Sequence, residues 1–475
     1  MRGIVAYGGY VPRFRLQRAA IAAALGAAPI KGARSVASYD EDTTTMAVEA
    51  GRRAIATSSE LPSTLYFATA APAYLDKSNA SAVHGGLGLD PHVGAYDVLG
   101  GVRSGVAAVR AALDAATIDD VAMAVLSDIR TGLPGSSDES QSADGAAALI
   151  LGRGPGVIAE LLGRGCSTTE FLDRWRAPGE LASHLWEERF VEQAYAAPAS
   201  SAVADALKMA GVDVSDIDHV IVSGLPTRAV RRVTTKLGAS RHAIAADQVT
   251  GAIGNAGTAQ SGLALAGVLD TADPGQLILQ VTLADGADVL VWRTTDALAT
   301  FAARRQQLIS EQINAANCDL PYTKFLTWRG MLGQEPPRRP DPDRPAAPPS
   351  WRREAWKFGF VASRCSECGA RQLPPARVCL ECGCVDQMVP ERLADTRGTI
   401  ATFTVDHLSY TPSPPIVASV VDFDGGGRFP CELTDVDPAQ VHVGTRVEMT
   451  FRRLYTAGGI HNYFWKARPV GIEEG

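Results

Sequence analysis

Hydrophobic and polar positions recur along this chain in two matching series. Thr45–Ala56 (TMAVEAGRRAIA) has helical spacing, and Leu65–Pro72 (LYFATAAP) reads as a strand. In Val93–Leu113 a short strand meets glycines that open an Ala- and Val-rich helix, followed by a strand at Val121–Asp128 and the segment Ser142–Gly152 (SADGAAALILG). The order then returns. Ser201–Gly211 predicts a helix and His219–Pro226 a strand. Ala243–Leu269 predicts a strand, a glycine-rich turn and a buried helix, and Leu277–Trp292 a strand hairpin. ADGA at Ala143–Ala146 and again at Ala284–Ala287 marks the same turn in both copies. Any α/β protein shows some periodicity, but a shared element order and a shared tetrapeptide predict a duplicated α/β fold.

The proline-rich run Gln334–Ser350 (QEPPRRPDPDRPAAPPS) cannot continue a helix or a central strand and predicts an extended spacer. It separates a large part, 1–333, from a small one. The large part divides into halves of about 1–165 and 195–333 with an inserted segment between them. Beyond the 334–350 linker, residues 351–390 predict a short helix with Trp351 and Trp356 and then a cysteine-rich ribbon. In 391–475, runs such as GTIATFTVDHL and IVASVVDFDGGGRF alternate apolar and polar residues. They predict a small antiparallel barrel of about five strands, OB-like.

The chain has 475 residues, 46% hydrophobic and 20% charged, with a formal net charge of -7. This is globular composition, and it argues against binding nucleic acid through overall basicity. OB barrels often bind single strands through a basic aromatic face, but this one carries Asp406, Asp422, Asp424, Glu432, Asp435 and Asp437. No apolar run approaches the roughly 18 residues of a membrane span, and the N-terminus lacks a signal-peptide pattern. The expectation is a cytoplasmic protein without a membrane or nucleic-acid partner. GGLGLD (Gly85–Asp90) and GNAGTAQSG (Gly254–Gly262) lack the phosphate-loop and dinucleotide spacings, which excludes ATP and NAD sites of those types.

Five of the eight cysteines lie between Cys365 and Cys384. Cys365-x2-Cys368-x10-Cys379-x2-Cys382 has the spacing of two knuckles around one tetrahedral Zn²⁺. Gly369 and Gly383 follow the second cysteine of each pair, where a left-handed residue is needed. Four protein ligands leave no open position, so the metal is expected to be structural. A redox-active CxxC pair is the competing reading, and Cys384 is read as a spare.

The motifs also carry a resemblance. GIVAYGGYVPRFRL (Gly3–Leu16), YDEDTTTMAVEAGRRAI (Tyr39–Ile55), FLDRWR (Phe171–Arg176), RFVEQAYAAP (Arg189–Pro198), IGNAGTAQSG (Ile253–Gly262) and YTKFLTWRG (Tyr322–Gly330) resemble the thiolase superfamily in its 3-hydroxy-3-methylglutaryl-CoA synthase branch. The resemblance spans about 1–333 and implies a layered αβαβα fold acting on CoA thioesters. It also implies a cysteine nucleophile, a glutamate acid/base and a histidine. At the matching turns this chain has Val102 or Gly100, Ala70 or Ala71, and Gly224 or Ser223, and no cysteine occurs before Cys166. Trp351–Val470, with CSECGARQLPPARVCLECG and GTIATFTVDH, resembles the acyl-CoA-associated zinc-ribbon/OB domain. That domain usually accompanies thiolase-like proteins as a separate subunit.

From this resemblance, Asn255 matches a residue that orients the acyl carbonyl, although it can equally be a cap on a glycine turn. Tyr195 or Glu139 is the candidate base, against a packed aromatic and a solvated acid respectively. Arg228, Arg231, Arg232 and Lys236 are candidates for the CoA diphosphate, against a solvated helix face. The expected function is an acyl-CoA carbon–carbon bond enzyme without a cysteine acyl-enzyme, an aldolase or retro-aldolase on a β-hydroxyacyl-CoA. The alternative is a non-catalytic scaffold or CoA-ester-binding partner, and a conventional hydroxymethylglutaryl-CoA synthase stands third. A homodimer, or a heteromer with a thiolase-like partner, is expected.

Overall fold

The structure, a computed structural model, describes residues 1–470 apart from 238–244, 306, 316–317, 336, 339 and 341. One mixed nine-stranded sheet dominates it. Its order is His219–Gly224, Leu277–Leu283, Gly286–Thr294, Ala159–Thr168, Arg2–Tyr10, Asp144–Arg153, Ala122–Ile129, Thr64–Thr69 and Gly94–Leu99. The duplication lies in its pairing. Asp144–Arg153 is antiparallel to both Arg2–Tyr10 and Ala122–Ile129, and Ala122–Ile129 is parallel to Thr64–Thr69. Gly286–Thr294 repeats this with Ala159–Thr168 and Leu277–Leu283, and Leu277–Leu283 is parallel to His219–Gly224. The halves meet through the short ladder Gly3–Glu160 and Ile4–Ala159.

That narrow seam lets the halves sandwich a central helix. Gln260–Leu269 packs on Arg2–Tyr10 and Asp144–Arg153 from one half and on His219–Gly224 and Leu277–Leu283 from the other. Every residue of it except Gly267 is buried, as a helix apolar all round requires. The outer helices dock through matching glycines. A Cβ on Gly8 would meet Ala50 O at 2.5 Å, and one on Gly165 would meet Ala202 O at 2.0 Å. Helices Thr43–Thr57 and Ala196–Ala210 can therefore approach their strands only because these positions lack side chains.

Three expectations are corrected. The strand anticipated at the start of Ala243–Leu269 is a helix, Ala245–Ile253, with Ala243 and Ile244 outside the described residues. Val249 and Ile253, four apart, bury one face of it. The two ADGA segments begin equivalent strands but do not make the same turn. Asp285 and Gly286 form a tight hairpin with φ of +47° and +116°, whereas helix Ser137–Gln141 precedes Asp144 in the other copy. The spacer is not extended throughout, because Ala347–Arg352 is helical. Its prolines fall in the first turn, where no N–H is needed. Pro336, Arg339 and Asp341 of that run lie outside the described residues.

Val361–Cys365, Arg371–Gln372 and Met388–Arg392 form a small three-stranded sheet. Gly398–Asp406, Ile416–Phe423, Arg428–Leu433, Ile460–Pro469 and Arg446–Ala457 close a barrel in that order. Phe360, Phe451, Tyr463 and Trp465 fill the contact between the barrel and the preceding segment.

The barrel docks on the start of helix Thr43–Thr57. Arg452 pairs with Glu41, Lys466 with Asp40 at 3.1 Å and Arg468 with Glu49 at 2.8 Å. Several barrel acids are likewise paired, Asp422 with Arg428, Asp424 with Arg446 and Asp435 with Arg452. Among the described residues, no helix is long and apolar enough to cross a membrane.

Candidate functional site

Two neighbouring cavities open where the buried helices begin. One, of about 690 Å³, is lined by Arg18, Asp138, Gly224, Arg228, Arg231 and Asn255 among others. The second, of about 800 Å³, is lined by Ala70, Ala71, Gly100, Val102, Arg130 and Tyr195 among others. Asp173, Arg174, Leu225 and Pro226 line both. The positions singled out by the resemblance therefore converge, although they come from turns far apart in sequence.

Asn255 follows helix Ala245–Ile253. Its Nδ2 donates to Gly224 O at 2.8 Å, and its Oδ1 accepts from Gly257 N–H at 2.9 Å. It thus caps the glycine turn and faces the cavity at once, leaving one amide N–H for a ligand.

Tyr195 is buried and packs edge-on against Phe171, with ring centroids 4.9 Å apart. Its hydroxyl donates to Asp173 Oδ2 at 2.8 Å. Burial, and then the neighbouring Asp173, push its phenol up, so it is a neutral donor and not a base.

Glu139 lines neither cavity. It is fully buried and accepts from the Tyr322 hydroxyl at 2.9 Å and Gly135 N–H at 2.7 Å. Its role as base is corrected accordingly, because the turn capped by Ser136 points it into the protein. Asp138 faces the cavity instead and holds Arg174 with both oxygens.

The basic helix Thr227–Lys236 divides. Arg228 and Arg231 reach the first cavity, with Arg228 paired to Glu188 at 2.7 Å. Arg232 pairs with Glu192, and Lys236 donates to Ser200, away from the cavity wall. That corrects their place in a CoA site, since helical twist carries them to the neighbouring helices. Arg18 takes their place on the wall.

Asp173 was not singled out as a site residue, although FLDRWR contains it. Burial raises its carboxyl above the ordinary range. The Tyr195 hydroxyl opposes this, and nearby Asp285 adds to it. A carboxylate so placed, bordering both cavities, is a candidate proton acceptor.

In the ribbon, the sulfurs of Cys365, Cys368, Cys379 and Cys382 lie within 4.8 Å of one another. Cys365–Cys382 and Cys368–Cys379 are 3.7 and 3.5 Å apart, close to the roughly 3.8 Å edge of a tetrahedron with metal–sulfur bonds of about 2.3 Å. Gly369 and Gly383 have φ of +78° and +73°, as the knuckles require. The four thiols fit one metal ion. Cys384 lies outside that set of four, although its sulfur is 3.2 Å from that of Cys365.

Comparison with known proteins gives these observations a context. The family described as "ChsH2, C-terminal OB-fold domain" matches residues 391–452. A hydroxymethylglutaryl-CoA synthase of Archaeoglobus fulgidus is 32% identical over 348 residues, covering 70% of this chain and 99% of that protein. One from Methanopyrus kandleri is 30% identical over 322 residues, covering 65% and 90%. Among solved structures, MvaS in complex with 3-hydroxy-3-methylglutaryl coenzyme A superposes with a TM-score of 0.60 at 22% identity, covering 72% of this chain and 94% of that one. These relatives are consistently hydroxymethylglutaryl-CoA synthases. They overturn the expectation of an aldolase or retro-aldolase, and that of a non-catalytic scaffold.

Proposed function

Because this chain belongs to the hydroxymethylglutaryl-CoA synthase family, we propose that it binds CoA thioesters across the two cavities and carries out the family's condensation without the cysteine-bound acyl group. The observation that carries the reading is the placement of Asn255 on one cavity and the mouth of helix Ser104–Ala115 on the adjoining one, with Asp173 lining both. In this reading the CoA diphosphate lies against Arg18, Arg228 and Arg231, and the acyl end lies between Val102 and Asn255.

Asp173 removes the proton α to the donor thioester. The free Asn255 N–H and the N–H groups of Val102 and Arg103, in the turn before helix Ser104–Ala115, stabilise the enolate oxygen. The enolate carbon attacks the ketone of the acceptor, and the new alkoxide takes back the proton that Asp173 removed. Water then cleaves the donor thioester and releases one CoA. Val102, Ala70 and Gly224 take the places of the family's cysteine, glutamate and histidine, so the donor acyl group stays on its own CoA.

The ribbon thiols hold a structural zinc ion, supported by their spacing and by the knuckle glycines. Gly94–Leu99, at the sheet edge with Tyr96 and Leu99 exposed, suits pairing with a second copy or a thiolase-like partner.

Acetyl-CoA and acetoacetyl-CoA should be consumed together with release of one CoA, and intact mass after acetyl-CoA alone should show no added acetyl group. Absence of both turnover and CoA-thioester binding would refute the reading, and a stable acetyl adduct would refute its cysteine-free part.

A further inference from the structure

Cleaving the donor thioester calls for a base that takes a proton from water. Asp285 lines the second cavity, in the hairpin between strands Leu277–Leu283 and Gly286–Thr294, with φ of +47°. Its main chain is fully engaged. The carbonyl accepts from Thr169 N–H at 3.2 Å and from Arg103 Nη1 at 2.8 Å, and its N–H bonds the Tyr195 hydroxyl. The next residue is equally fixed, since a Cβ on Gly286 would meet Ser167 O at 2.0 Å. The turn therefore holds the carboxylate in one place.

Turn geometry does not account for the charge, because a left-handed position accepts Gly or Asn as readily as Asp. Among the described residues, no hydrogen bond or ion pair reaches the Asp285 carboxylate. The cavity's other acids are held, Asp173 by the Tyr195 hydroxyl and Glu180 by Ala177 N–H and His184. Arg103, which touches the Asp285 carbonyl, gives its charge to Asp288 at 2.7 Å. Asp173 and Asp285 are close enough to repel, which adds to the rise of the Asp173 carboxyl. Asp285 is also exposed, so water reaches it. Its Oδ2 would stand 3.8 Å from a Cβ on Gly101, which lines the same cavity between Gly100 and Val102.

We propose that Asp285 is the base that activates the hydrolytic water, a catalytic role separate from that of Asp173. The proposal rests on the condensation of CoA thioesters described above. Asp285 takes a proton from water as the water oxygen bonds to the thioester carbon. The carbonyl electron pair moves onto the oxygen held by the Val102 and Arg103 N–H groups. When the carbonyl re-forms, the carbon–sulfur bond breaks, and the thiolate takes the proton from Asp285 and leaves as free CoA. The new carboxylic acid loses the second proton of the water to solvent. Asp173 is less suited to this step, because the Tyr195 hydroxyl occupies one of its oxygens, whereas Asp285 keeps both open beside the Gly101 turn.

Because the donor acyl group stays on its own CoA, the condensed species before hydrolysis carries CoA at both ends and reports the two steps separately. The test is incubation of the full chain with acetyl-CoA and acetoacetyl-CoA, an acid quench, and mass spectrometry of the CoA species over time. The wild type should release free CoA with little of the double thioester. Asp285→Asn suits the same left-handed turn. It should accumulate the double thioester and release CoA about 10²–10⁴-fold more slowly. Asp285→Gly gives the same readout if the asparagine variant does not fold. Asp173→Asn should form neither species. CoA release by Asp285→Asn at the wild-type rate would overturn the assignment and leave the condensation standing. Equal loss of condensation and hydrolysis in that variant would do the same. A wild type that forms neither the double thioester nor free CoA would overturn both.

Discussion

Tyr195 donates its hydroxyl to Asp173 at 2.8 Å, on the wall where the two cavities meet. The bond keeps the phenol neutral and orients the carboxylate. With Asp173 as base, kcat/KM should fall as pH drops through its raised pKa, because only the ionised form accepts a proton. Tyr195→Phe removes a hydrogen bond that favours the ionised form, so the acid limb should move to higher pH. Asp173→Asn should abolish the limb and lower turnover by about 10²–10⁴-fold. A pH profile of kcat/KM for the three proteins checks this.

The ion pair of Glu49 with Arg468 ties the barrel to the layered fold. Burial alone would raise the Glu49 carboxyl, but Arg468 and then Arg52 outweigh it and hold it at about 2. Asp40 is likewise held at about 2, because Lys466, Arg452 and the Thr434 hydrogen bond together outweigh burial. Both values are depressed, so this stabilisation is fully present above the ordinary carboxylate range and is lost as pH falls toward 2. Arg468→Met should cost about 3 kcal/mol by leaving the buried Glu49 with Arg52 alone. Denaturant titration followed by tryptophan fluorescence measures the loss.

Removing the ribbon metal should loosen a small region. Cys368→Ser should reduce bound zinc well below one ion per chain and leave the remaining ribbon thiols open to alkylation. The layered fold has its own core and should retain its circular dichroism. Metal analysis with thiol-specific mass labelling checks both halves of this expectation.

Gly257 fixes the pocket from behind. It has φ of +56°, and an added Cβ would stand 2.3 Å from Asp128 Oδ2 and 2.8 Å from Arg130 Cδ. Gly257→Ala should cost about 1–3 kcal/mol and displace Arg130. Gly26 has nothing within reach of a Cβ and a similar φ of +66°. Its alanine variant isolates the backbone part of the cost, and comparing the melting temperatures of the two separates crowding from strain.

Local pattern alone determined much of this protein. The helical period of Thr45–Ala56, the buried helix ending at Leu269 and the alternation of the barrel strands are all present as elements, because burial imposes those periods on any chain that folds. The CxxC pairs were legible for a similar reason, since ligand spacing is set by one short turn. Tertiary structure decided what depends on direction. Glu139 and Asp138 are neighbours in sequence, yet one is sealed against Tyr322 and the other holds Arg174 at the cavity. Arg228 and Arg232 share a helix, but only the first lines the cavity. Asp173 and Arg130 carried no periodic signal, because their surroundings come from strands and turns distant in sequence. Side-chain direction and the balance of buried charge exist only once those segments have packed.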